Sequence, residues 1–153
     1  MLRKIALGVA LATAAGVALA QDRRPENGTP INIAAAKKIA AGVIAECAKN
    51  SWNVAVAIVE PSGALVYFER MENTQYASLD IAIGKARAAA MYRRSTRVFF
   101  EVVNKTPAVA TLPGNSFAVP GGLPIMADGK VIGAVGVSGV TADQDEQCAK
   151  AGL

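Results

Sequence analysis

The chain has 153 residues, no histidine, and 16 Lys and Arg against 12 Asp and Glu, a formal net charge of +4. Without histidine, no Ser-His-Asp or Cys-His nucleophile can be built, and histidine-ligated zinc and proximal-histidine haem are excluded. Any general acid or base must be Asp, Glu, Lys, Tyr or Cys. No basic run or aromatic-basic face marks a nucleic-acid surface.

Residues 1–20 have the make-up of a signal peptide. Arg3 and Lys4 give a positive start, and Ile5 to Val17 is an apolar run short of the about 20 residues that span a membrane. Ala18-Leu19-Ala20 is an A-x-A cleavage site, which makes Gln21 the expected mature N-terminus. This style of signal points to a bacterial protein, periplasmic or secreted. Cleavage would leave 133 of the 153 residues, and loss of Arg3 and Lys4 would leave 14 basic against 12 acidic residues, a net +2. That length is one domain with a real core. Cys47 and Cys148 form an even pair. Export and even count favour a disulfide over two buried free thiols. Its loop is long, so the chain-entropy model gives it about 4 kcal/mol.

In chain order, Gln21 to Ile31 is a polar, flexible lead-in to a single domain over residues 32–153. Ile33 to Lys49 is an amphipathic helix, with Ile33, Ala36, Ala40, Val43 and Cys47 on one stripe and Asn32 as N-cap. Val54 to Val59 is continuously apolar and reads as a buried strand. Glu60-Pro61-Ser62-Gly63 turns the chain into a second strand, Ala64 to Met71. Leu79 to Tyr92 is an alanine-rich helix, and Ser95 or Thr96 caps a short helix through Val103. Thr106 to Pro120 holds three prolines and Gly114 with little periodicity, and loops of this length are often functional. Asp128-Gly129 between two apolar runs is a strong hairpin signal. In the run Val131 to Val137, Gly133 and Gly136 suggest close approach by another backbone or a ligand. Thr141-Ala142-Asp143-Gln144 is a capping box that opens a last helix. Hairpins at both ends predict an antiparallel sheet and an α/β fold of the α+β kind.

Two cations stand out. Arg70 ends the second strand and shares a face with Val66 and Phe68 by the two-residue period, which places it at a sheet rim or in a polar pocket. Lys85 interrupts an apolar helix between Ile81 and Ala89, either snorkelling to solvent or aimed at an anionic ligand. Gly136-Val137-Ser138-Gly139 lacks the last glycine of a nucleophile elbow. The glycines at 129, 133, 136 and 139 fit no nucleotide-binding loop. Gly139, just before a capped helix, can turn the chain or present N–H groups to an anion.

These residues carry a resemblance. The Val54–Val59 strand with Pro61-Ser62-Gly63, Arg70-Met71-Glu72, Ile81-Ala82 with Lys85-Ala86-Arg87, Gly121-Gly122-Leu123-Pro124-Ile125, Asp128-Gly129 and Gly133 to Gly139 follow in order. Asp145 and Ala149-Lys150-Ala151-Gly152 complete the set. From Ile33 to Leu153 the chain resembles the GlcG/HbpS-like, or haem-degrading domain, family. The resemblance implies a profilin-like fold, a five-stranded antiparallel sheet flanked by helices, and assembly into homo-oligomers. In that fold the first and last helices pack near each other, which supports the Cys47–Cys148 bridge. Some relatives bind haem, and some of those work outside the cell beside a sensor kinase, so a membrane sensor or redox partner is implied. Others are attached to cobalamin enzymes or are encoded near glycolate oxidation genes. This chain departs from the pattern in having Glu72 where the family usually has Asp, and no histidine ligand. Haem iron would fall to Met71, Met91, Met126, Tyr67, Tyr76, Tyr92, Cys or Lys.

The leading expectation is an exported protein that binds a small anionic ligand, haem included. Its pocket would be lined by Arg70, Met71, Glu72, Lys85, Pro120, Gly121 and Gly122, with the Thr106–Pro120 loop as a wall. Arg suits a carboxylate because its fork bonds bidentately. The alternatives are an enzyme on a small organic acid, with Lys85 and Glu72 as acid-base groups, and a ligand-free assembly or sensor-partner module.

Overall fold

In the computed structural model the valine-rich run is the innermost part of the domain. Residues 24–113 and 117–153 are described, so the signal-peptide reading and Gly114 lie outside the described residues. The elements are α1 (Ile33–Lys49), β1 (Ala55–Val59), β2 (Leu65–Arg70), α2 (Ser78–Tyr92), α3 (Thr96–Lys105), a 3-10 turn (Pro107–Thr111), β3 (Gly122–Ala127), β4 (Lys130–Ser138) and α4 (Ala142–Ala151). The sheet order is β2-β1-β4-β3, and all three pairings are antiparallel.

β1 is buried on both faces, which is why its sequence does not alternate. Val54, Val56 and Ile58 join Val135 and Val137 beneath α1 and α4. Ala55, Ala57, Val59 and Ala134 face α2, which answers with Ala82, Ala86, Ala89 and Ala90. Burying each Val or Ile contributes about 1.5–3 kcal/mol. The alanines contribute less but allow α2 to lie close. A Cβ at Gly136 would stand 2.1 Å from the Ala82 carbonyl oxygen, so the close neighbour that the glycine signalled is α2.

The local signals act as expected. The Asn32 side chain accepts from the Ala35 N–H at 2.9 Å. Thr141 and Gln144 close the capping box of α4. Asp128 and Gly129 have φ of 48° and 73° and turn the β3–β4 hairpin, with the positive φ at both central residues that suits a strand's right-handed twist.

The expected five strands are corrected to four among the described residues. Beside β4, past the end of β1, residues 26–31 fill the place of another strand. They make one parallel bridge, Asn27 to Val131, and the Ile31 N–H donates to Ile132 at 2.8 Å. Pro25 and Pro30 have no N–H to extend the ladder.

Cys47 and Cys148 are bonded, joining α1 to α4 with both cysteines fully buried. Two tests follow. Replacing both cysteines by alanine should lower stability by about 4 kcal/mol in a denaturant melt. Gly136→Ala should lower it by about 1–3 kcal/mol, because α2 must lift from the sheet to admit a methyl group.

Candidate functional site

Arg70, Met71 and Glu72 end β2 and begin the loop to α2. Arg70 lies opposite Ala55, whose side chain belongs to the α2 layer, and is exposed. Its guanidinium stands 5.0 Å from the centre of the Tyr76 ring, and Tyr76 is 85% exposed. Such a cation over an aromatic face is worth about 0.5–1 kcal/mol at an exposed site. Among the described residues Arg70 has no carboxylate partner. The rim is therefore its place, rather than a closed polar pocket. Val66 does not share its face, because a bulge between Ile58 and Val59 shifts the register and Val66 packs toward α1. The Met71 N–H donates to Val54 at 3.0 Å and the Met71 side chain packs against the α1 layer. Glu72 is exposed. Asn73 has φ 61°, and the Thr74 N–H turns back to the Met71 carbonyl at 3.4 Å.

Lys85 points inward. It is 2% exposed, and its Nζ donates to Asp145 Oδ2 at 2.7 Å and to the Val137 carbonyl at 2.9 Å. The spacing allows either a snorkelling lysine or a cation aimed at an anion. The anion is the protein's own Asp145. The N–H groups at the turn into α4 follow the same rule, since the Val140 N–H donates to Asp145 Oδ1 at 3.2 Å. Burial pushes the Lys85 ammonium below 10.5, and the charge and hydrogen bond of Asp145 push it back up. Burial pushes the Asp145 carboxyl above 3.8, against the Lys85 charge, its hydrogen bond and the N–H groups of Val140 and Gly139. Desolvation is the largest influence on both groups.

Pro120, Gly121 and Gly122 are buried beside this pair. A Cβ at Gly121 would stand 2.9 Å from Lys85 Nζ, and one at Gly122 would stand 2.4 Å from the Lys85 carbonyl oxygen. Thr96 fastens the segment by accepting the Gly122 N–H at 2.9 Å. Lys85 and Gly121-Gly122 thus come together, while Arg70, Met71 and Glu72 belong to the opposite edge. β2 and β3 are the two outer strands, three spacings or about 14 Å apart. Of the Thr106–Pro120 loop, Pro107–Thr111 forms a 3-10 turn, Pro113 accepts from the Tyr92 hydroxyl at 2.6 Å, and the Phe117 ring lies on Gly84.

The iron donors also sort themselves. Cys47 and Cys148 are committed to each other, and Lys85 to Asp145. Tyr67 donates to Glu69 at 2.9 Å and Tyr92 to Pro113. Tyr76, Met91 and Met126 are exposed. Met126 borders an apolar groove of about 360 Å³, which also takes in Ile31, Ile39, Pro124, Ile132 and Leu153. A phenolate or a thioether can hold haem iron, so the exposed donors fit that group without histidine. The groove leaves no trace in the sequence, because its lining comes from four separate segments.

Lys85→Met or Asp145→Leu alone should cost about 3–5 kcal/mol, since each leaves one buried charge unpaired. The double variant should recover most of that loss in a double-mutant cycle by denaturant melt. In Asp145→Asn, burial acts on Lys85 without the opposing carboxylate, and its folded pKa falls further below 10.5. The unfolded chain then binds more protons, so the stability of this variant should rise with pH on the approach to the ordinary lysine pKa of about 10.4.

This fold recurs in known proteins. A family model described as "Haem degrading protein HbpS-like" matches residues 31–153. Protein GlcG of Escherichia coli strain K12 is 37% identical over 106 residues, covering 67% of this chain and 79% of GlcG. The crystal structure of Klebsiella pneumoniae protein ORFY matches with a TM-score of 0.77 at 29% identity, covering 86% of this chain and 93% of that one. A PduOC:haem complex matches with a TM-score of 0.75 at 23% identity, covering 81% and 93%, a likeness that shows the fold alone. The family model takes in every element from α1 to α4, the Lys85–Asp145 pair and the β2–α2 loop included, and the chain belongs to the HbpS-like family.

Proposed function

We propose that this protein binds a small anionic molecule, haem being the candidate best matched to its donors, on the loop between β2 and α2. One observation carries the reading. Arg70 is held over the exposed ring of Tyr76 with no carboxylate of the described chain to neutralise it. A cation kept at an open rim beside an exposed phenol suits a ligand with acidic groups and a metal centre. The family's description as haem-degrading supports the choice of haem. Tyr76 would supply the iron ligand and Arg70 would meet a propionate. Bound haem would bring an iron centre, and the chain's own part would be to seat and orient it.

We place this binding outside the cytoplasm, with residues 1–20 removed on export. A buried disulfide is in keeping with an oxidising compartment. Assembly into homo-oligomers and a membrane sensor or redox partner belong to the same proposal. The enzyme alternative finds less support. Lys85 is buried and bonded to a carboxylate, so its amine offers no free lone pair to a carbonyl.

Haemin titration of the chain lacking residues 1–20 tests the proposal. A saturable Soret shift is expected. Tyr76→Phe should change the spectrum of the bound form, and Arg70→Ala should weaken binding by about tenfold or more, the loss of one charge-assisted hydrogen bond. Absence of a saturable shift with Arg70 and Tyr76 intact would sink the haem reading.

A further inference from the structure

Thr74 lies between Arg70 and Tyr76 and is the anomaly of this loop. It is 7% exposed, and its Oγ1 is the buried side-chain polar atom that lacks a hydrogen-bond partner among the described residues. Buried polar atoms in folded proteins are nearly always bonded, so an exception needs a reason. Valine would fill almost the same space with no hydroxyl to satisfy. The backbone gives the hydroxyl no help. The Thr74 N–H is turned back onto Met71, and Asn73 holds the turn with φ 61°.

The same loop leads into a helix start without a side-chain cap. Ala77 occupies the N-cap of α2, a helix of 15 residues, and among the described residues no side chain caps it. Ser78 is buried and bonded to Ser138 at 3.3 Å. The Ser78 and Leu79 N–H groups turn back onto the Gln75 and Tyr76 carbonyls at 3.1 and 3.2 Å. Asp80 is the acid of the first turn, and it is exposed. Within nine residues, 70–78, therefore fall the positive end of the helix and, among the described residues, a hydroxyl without a hydrogen-bond partner and a guanidinium without a carboxylate. Each favours an anion.

We infer that the start of α2 is a carboxylate-binding subsite in which Thr74 donates the deciding hydrogen bond. The inference rests on the binding reading above and names the ligand group that the site recognises, a free carboxylate of a small molecule. A carboxylate oxygen at Thr74 would satisfy the hydroxyl, and Arg70 would take its second oxygen or its neighbour.

The experiment compares haemin with its dimethyl ester, which keeps the macrocycle and iron but blocks both carboxylates. Each is titrated into the wild-type chain and into the Thr74→Val and Thr74→Ser variants, and each protein is melted without ligand. Thr74→Val should melt no lower than wild type and bind haemin about ten- to a hundredfold more weakly. Thr74→Ser should stay near wild type. The ester should bind wild type and Thr74→Val alike. If Thr74→Val binds haemin as tightly as wild type, the subsite is wrong while the binding reading stands. If Thr74→Val melts lower and loses haemin and ester equally, Thr74 is structural and the subsite is also wrong. A wild-type chain that takes neither compound overturns the binding reading and the subsite with it.

Discussion

The contact of Lys85 with Asp145 ties together more of this domain than any other polar interaction described. It joins α2 to α4 across the end of β4, and the Val137 carbonyl shares the ammonium. The N–H of Val140 holds the other carboxylate oxygen, so the turn from β4 into α4 is set by the same charge. Gly121 lies against the Lys85 ammonium, which fixes where β3 can begin. Two charges out of water cost several kcal/mol each, and only near-complete hydrogen bonding offsets that. The surrounding chain is built to supply those bonds, and three elements inherit their positions from it.

The second constraint is steric. α2 meets the sheet through alanines, and the sheet answers with Gly136. Close approach keeps most of this face to alanine and glycine, so the bulk of the hydrophobic stabilisation comes from the valine-rich layer beneath α1 and α4. The two faces of one strand thus do different work. Alternate residues of β1 either fill volume or permit proximity.

Much of this is legible in the residues. Asn32, Thr141 with Gln144, and Asp128-Gly129 act locally, and each sits where its own side chain or backbone preference puts it. The doubly buried strand is readable because a short valine-rich run with no polar alternation has no face to offer water. The partner of Lys85 is not readable, since a separation of 60 residues carries no periodic trace. The two-residue count puts Val66 on the wrong face because a bulge interrupts it. A fifth strand follows from family likeness, whereas two prolines in the lead-in hold that segment to a single bridge. At the candidate site, Arg70 is visible as a charge in an apolar strand. Thr74 is not, because nothing in a sequence distinguishes a satisfied hydroxyl from an orphaned one.

The bridge between Cys47 and Cys148 spans 101 residues and encloses β1 through β4 together with α2 and α3. A protease that cut the backbone once anywhere inside that ring would open the loop without releasing a fragment. The two pieces would remain one molecule, joined through α1 and α4 in the core. The stretch before β3 could therefore be nicked while the sheet stayed whole, and such damage would show only after reduction.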